Sequence, residues 1–147
     1  MLFVATIGAP AVGQDADRGT AEEAQAMVAR AIELYDREGL GESFRRITLT
    51  AEFKDRDLYV FVLDTAGTVA AIAGIPEAVG SNALGAFDPD GTFYVQEILK
   101  RATPAGSWVD YIFIDPLTNQ LAPKSTWAVS HDNFIFACGI YAGEVGI

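Results

Sequence analysis

The chain has one cysteine, one histidine and only ten basic residues against twenty acidic ones. Each shortage excludes something. A lone Cys138 allows no intrachain disulfide and no thiolate metal cluster. Its apolar setting, FIFACG, marks it as a buried structural thiol rather than a nucleophile. A lone His131, in the polar turn SHDN, excludes a multi-histidine metal site and reads as a solvated side chain rather than a base. The net charge of −10 leaves no basic footprint for phosphates, so nucleic acid is not expected as a partner. An anionic ligand would need local positive charge, and few cations are there to supply it. No apolar run approaches the roughly 20 residues that cross a bilayer. The motifs GxSxG, P-loop and HExxH are missing too; Asp88 and Asp90 lie close enough in sequence to form a carboxylate pair, but no nucleophile with a credible base appears. The stretch DPDG at 88–91 has its glycine in fourth place, where an EF-hand calcium loop needs it sixth. Asp90 is therefore read as the cap of the next helix. No metal, no cofactor and no catalysis are expected.

What is present is a chain of 147 residues, half of them apolar, which fits one domain with a substantial core. Residues 1–13 hold LFVATIGAPAVG, read as the remnant of a secretory signal without its basic start. Residues 14–19 read as a linker and 142–147 as a loose tail, leaving a single domain at 20–141. TAEE at 20–23 is a capping box. The helix it opens runs to residue 37 with Ala24, Met27, Val28, Ala31, Leu34 and Tyr35 on one face. Gly39 and Gly41 end it, and a short helix at 42–47 turns Phe44 and Ile47 inward. DLYVFVLD at 57–64 is apolar on both faces and reads as an interior strand. The turn TAG at 65–67 suits a hairpin, with a return strand at 68–73. Residues 74–91 form a long loop with one helical turn at 76–79, of the length that serves as a lid or binding loop. A helix at 92–101 buries Val95, Ile98 and Leu99. Two aromatic strands within 106–129 flank the turn DPLTN, and a last strand covers 134–141. Short strand-to-strand links make the pairs antiparallel. The expected class is α+β: helices packed on an antiparallel sheet of about five strands.

Strand alternation suggests where a ligand would sit. Tyr111 and Phe113 share one face of their strand, as Tyr59 and Phe61 do on theirs, and Lys124 is the lone charge beside the ribbon. A ring-lined wall with one cation at its edge has the make-up of a small-molecule pocket. The plain alternatives are core packing for the rings and an exposed loop position for the lysine. Trp108 falls on the opposite face from Tyr111, and Trp127 on the opposite face from Lys124. Lys124, Tyr111, Phe113, Tyr59 and Phe61 are therefore placed ahead of Trp127 and Trp108 as ligand-binding candidates.

Taken in order, DLYVFVLD with Gly67-Thr68-Val69, GSNALGAFDPDGTFYVQE, GSWVDYIFIDPLTNQLAPKSTWAV and ACGIY resemble the single Cache domain, a type 2-like, PAS-related extracytoplasmic sensor family. The resemblance covers residues 20–141. It implies a PAS-like fold with a long N-terminal helix on the sheet. It also implies a non-catalytic periplasmic or secreted sensor domain for a small molecule, such as a carboxylate. The implied partners are a second copy, through the N-terminal helix, and a membrane signalling protein. The chain departs from the family pattern where many relatives carry a histidine, near Ala71. Phe113 and Trp127 stand where Trp and Tyr are usual. No kinase or methyl-accepting region follows, so the domain reads as freestanding. The competing expectation is a periplasmic interaction subunit with no small ligand.

Overall fold

The computed structural model describes residues 17–141. The signal remnant and the tail expected at the two ends lie outside them. The first element is α1 (Ala21–Leu49), opened by the expected capping box: Thr20 Oγ1 accepts from Glu23 N and Glu23 Oε1 accepts from Thr20 N. Its two expected segments follow one another directly. Only Gly39, at φ 83° and ψ 173°, is non-helical between them. A positive φ of this kind costs glycine nothing, because it has no Cβ. Both segments are buried against the sheet, the first through Ala24, Met27, Val28, Ala31 and Leu34, the second through Phe44 and Ile47.

The strands follow as β1 (Lys54–Asp55), β2 (Leu58–Asp64) and β3 (Val69–Ile72). After a 3-10 turn at Pro76–Ala78 come α2 (Tyr94–Arg101), β4 (Ser107–Ile114), β5 (Leu121–His131) and β6 (Phe134–Ile140). They form one antiparallel six-stranded sheet in the order β1-β2-β6-β5-β4, with β3 also on β2. The α+β class is as expected, with one strand more. That strand, β1, is two exposed residues long, too short to leave an alternation signal. A second correction concerns α2, which starts at Tyr94 with no side-chain cap. Asp90 does not cap it. The buried Asp88 accepts from Asp90 N and Thr92 N instead.

The sheet sorts its side chains by pleat. One face meets α1, where Phe136 packs edge-on to Tyr35 at 5.5 Å and Phe134 edge-on to Phe44 at 5.0 Å. Val60 and Val62 lie on this face, opposite Cys138 and Phe136. Trp127 is there too, opposite Cys138, and it pairs with Trp108. The other face carries Tyr59, Phe61, Lys124, Tyr111 and Phe113.

Gly106, at φ 91°, turns the chain into β4 under Trp127: an added Cβ would lie 2.0 Å from the indole Cζ2. Gly106→Ala therefore combines left-handed backbone with a ring clash. It is expected to cost about 2 kcal/mol or more, read as a fall in thermal midpoint; an unchanged midpoint would contradict this packing.

The start of α1 is fastened to the sheet. Arg18 Nη1 lies 3.3 Å from Asp57 and Nη2 2.6 Å from Asp115, both acids being buried. Gly19 N donates to Asp57 at 2.7 Å. Burial pushes the Asp115 carboxyl up, but Arg18 and the amide of Leu117 more than offset it and hold it below the usual carboxylate range. A depressed carboxyl stabilises the fold above its unfolded pKa of about 4 and loses that contribution as pH falls further. Arg18→Met leaves two buried carboxylates unpaired. It should lower stability at neutral pH by about 3 kcal/mol and flatten the acid limb of a stability-against-pH curve. An acid limb as steep as in the parent chain would contradict this role.

Candidate functional site

The pleat opposite α1 brings together most of the residues that sequence singled out. In register, Tyr111 opposes Lys124 across β4 and β5, and Thr126 opposes Gly139 across β5 and β6. Ala137 lies between Ala128 and Phe61. The small residues Ala137 and Gly139 leave a hollow along β6, and the stem of Lys124 lies in it. A Cβ on Gly139 would come 2.2 Å from Lys124 Cε and 2.8 Å from Thr126 Oγ1.

Lys124 is only 2 % exposed, against the plain alternative of an exposed loop position. Its Nζ donates to Tyr59 Oη at 2.8 Å, and the Tyr59 and Tyr141 hydroxyls lie 3.2 Å apart. Five ring centroids surround it: Tyr59 at 4.5 Å, Phe113 at 4.8 Å, Tyr141 at 5.1 Å, Phe61 at 5.4 Å and Tyr111 at 5.8 Å. Tyr111 donates to or accepts from Thr126 Oγ1 at 2.7 Å. Tyr94, from the first turn of α2, stacks on Tyr111 at 5.0 Å and meets Phe113 edge-on at 5.4 Å.

Among the described residues no carboxylate forms an ion pair with the Lys124 ammonium. Burial pulls the Lys124 pKa down, but the oxygens of Tyr111, Tyr59 and Tyr141 more than offset this and hold it above the ordinary lysine range. The amine therefore stays charged. Burial also pushes the Tyr111 and Tyr141 phenols up, further than Lys124 pulls them down. They stay neutral and offer dipoles rather than counter-charge. Quadrupole attraction to ring faces supplies part of what water would give. The ammonium has three donors, and a hydroxyl takes one of them.

The cage is closed over the amine. Three open clefts lie elsewhere: 480 Å³ between α2 and β4, 370 Å³ beside the β5–β6 turn, and 460 Å³ along α1. Lys124 lines none of them. Trp108 and Trp127 are not brought to the cage. Their rings meet each other at 5.2 Å on the α1 side of the sheet, as strand alternation requires.

The groups that could do other chemistry are spoken for. Burial pushes the Cys138 thiol up to about 12, and it faces α1 rather than the cage. His131 Nε2 sits 2.6 Å from Asp36 Oδ1, so it is not simply solvated as expected. With Asp132 these two offer three ligand atoms within 4.8 Å of one another, at the junction of α1 with the β5–β6 turn.

Sequence reading missed Tyr94, Tyr141, Thr126 and Gly139 as parts of the cage. Tyr141 and Gly139 were findable: they continue the alternation that places Ala137 on the cage face. Tyr94 was not, because its position depends on how α2 docks.

Comparison with known proteins agrees with the fold. The family model "Single Cache domain 2" matches residues 10–145. No curated protein matches the chain by sequence. Among solved structures, a methyl-accepting chemotaxis protein from Vibrio parahaemolyticus RIMD 2210633 is 21% identical with a TM-score of 0.67. The alignment covers 82% of this chain and 86% of that one. A periplasmic sensor domain of a chemotaxis protein is 21% identical, with a TM-score of 0.59 and coverage of 82% and 88%. A Cache chemosensory domain, solved for its recognition of carboxylic acid, is 14% identical, with a TM-score of 0.61 and coverage of 82% and 86%. At these identities the structures speak for the fold alone, while the family match spans nearly the whole chain: the protein belongs to the Single Cache domain 2 family.

Proposed function

We propose that this domain is a non-catalytic extracytoplasmic sensor that binds a small carboxylate at Lys124 and passes the event to a partner protein. The observation that carries the proposal is the buried ammonium without an acid partner among the described residues. Hydroxyls and ring faces hold the charge but supply no counter-ion, and an incoming carboxylate would complete the ion pair. Charge-assisted hydrogen bonds are the stronger kind, and the neighbouring hydroxyls of Tyr59 and Tyr141 would donate to the same anion. One cation among Phe61, Tyr111 and Phe113 suits a single carboxylate on a small apolar body. The solved Cache domain associated with carboxylic acid recognition supports the same class. The family's chemotaxis neighbours support an extracytoplasmic setting and a signalling partner. A homodimer through α1 is part of the proposal. No helix among the described residues is long and apolar enough to cross a membrane, so the domain would reach a membrane protein through contact or through chain outside those residues.

The closed cage favours one competing reading. Lys124 fills the hollow itself, as it would in an interaction subunit that binds no small molecule. A thermal-shift panel of acetate, propionate, lactate and pyruvate separates the two. Binding stabilises the folded state by mass action, by about 2.7 kcal/mol at a ligand concentration one hundred times Kd. The expected result is a raised midpoint with at least one acid, lost in Lys124→Met. That variant should fold well, since removing a buried charge in favour of an apolar side chain is often neutral or stabilising. No shift with any acid, or a shift retained in Lys124→Met, would overturn the ligand reading.

Gly139 gives a second check. Gly139→Ala would drive a methyl into the lysine stem. For any acid that shifts the parent chain, it should weaken affinity by about tenfold or more through displacement of the ammonium. Equal affinity would show that the position of the amine does not matter.

A further inference from the structure

The cage can admit a ligand only if something moves, and the structure shows what holds it shut. We infer that Tyr94 is the leaf of a door over Lys124, and that Asp88 is the latch that positions it. The inference rests on the reading of the Lys124 cage as the ligand site, and goes beyond it by assigning two residues to its access.

The latch is built from one carboxylate shared between loop and sheet. Asp88 is 4 % exposed. Its Oδ1 accepts from Asp90 N at 3.0 Å and Thr92 N at 2.8 Å, which shapes the loop's own turn. Its Oδ2 accepts from Ile112 N at 3.0 Å. β4 is the last strand in the sheet order, and Ile112 presents its amide on the open side of that strand. Asp88 therefore ties the long loop to a sheet edge that would otherwise carry an unpaired donor. Ile112 stands between Tyr111 and Phe113, the two rings that Tyr94 covers. The loop is also tied across its own ends. Phe87, before the latch, meets Phe93, before the leaf, edge-on at 5.8 Å.

Tyr94 suits a moving part better than its neighbours in the cage. Tyr59, Tyr111 and Phe113 are held in paired strands of the sheet. Tyr94 sits at the first position of an eight-residue helix with no side-chain cap. It is only partly buried. Its ring is held by packing, chiefly on Tyr111 and Phe113, and the chain before it is held to β4 through Asp88.

The test needs no ligand, so its failure and that of the ligand reading can be told apart. The chain has three lysines and a single cysteine. In the intact protein, an N-hydroxysuccinimide ester of acetate is applied briefly, and acetylation of Lys54, Lys100 and Lys124 is followed by mass spectrometry. A parallel thiol reagent reports Cys138, which is fully buried against α1 and opens only when the core does. Asp88→Asn puts an amide where Oδ2 accepts from Ile112 N and so removes the tie to β4. Tyr94→Ala removes the leaf. Each variant is expected to raise the Lys124 rate by about tenfold or more, which for Asp88→Asn is the scale of one lost charge-assisted hydrogen bond, with Lys54, Lys100 and Cys138 unchanged. Should Asp88→Asn fail to fold, Tyr94→Ala alone decides. An unchanged Lys124 rate, or one that rises only in step with Cys138, would overturn the door, since the amine would then become accessible through general unfolding.

Discussion

The structure turns on one ammonium group taken out of water with no acid among the described residues to balance it. Everything around Lys124 serves to make that tolerable. Gly139 clears the path for its stem, Tyr59 takes one of its protons into a hydrogen bond, and five rings turn toward its charge. Thr126 holds Tyr111 by its hydroxyl. These partners are all neutral. They keep the amine charged without supplying a counter-ion, which is what the proposed carboxylate would supply. A buried ammonium distinguishes the cage from an ordinary aromatic core, which would have no use for a lysine.

The second constraint is the division of labour between the two sheet faces. The side under α1 is conventional core, built from Val60, Val62, Phe136 and Cys138 against Phe44, Ile47 and Tyr35. It anchors the helix, and the cage occupies the reverse of the same strands. The two sides are joined at one end through Arg18, which holds Asp57 at the entrance to β2 and Asp115 at the exit of β4. β2 and β4 carry four of the five rings around the amine. A shift of those strands on ligand binding would be felt at Arg18, three residues before α1 begins.

Most of this was legible in the residues. Period-two alternation paired Tyr59 with Phe61 and Tyr111 with Phe113, and set Trp108 apart from Tyr111 and Trp127 apart from Lys124, because a strand leaves no freedom in which face a side chain takes; only the strand register brings the two pairs together. The capping box at Thr20 and the glycine break at Gly39 were equally plain, being local. What escaped depended on docking or on single hydrogen bonds. β1 is too short to show a pattern. Tyr94 joins the cage through the placement of α2. Asp88 rather than Asp90 organises the DPDG turn, its carboxylate bonding the amides of Asp90, Thr92 and, on the sheet edge, Ile112. The depth of Lys124 was hidden as well: a lysine beside a turn gives no sign that Gly139, fifteen positions later, has made room for it.

Burying this cation has an outcome for the exterior. It withdraws one of only ten positive side chains from a molecule with a net charge of −10, so an approaching anion meets a repulsive envelope before it meets Lys124. Dissolved ions weaken the envelope, which acts through solvent over about 10 Å, far more than they weaken an attraction inside the cage. For this protein, capture of a negative solute would become easier as ionic strength rises, the reverse of the dependence shown by sites that display their cations on the surface.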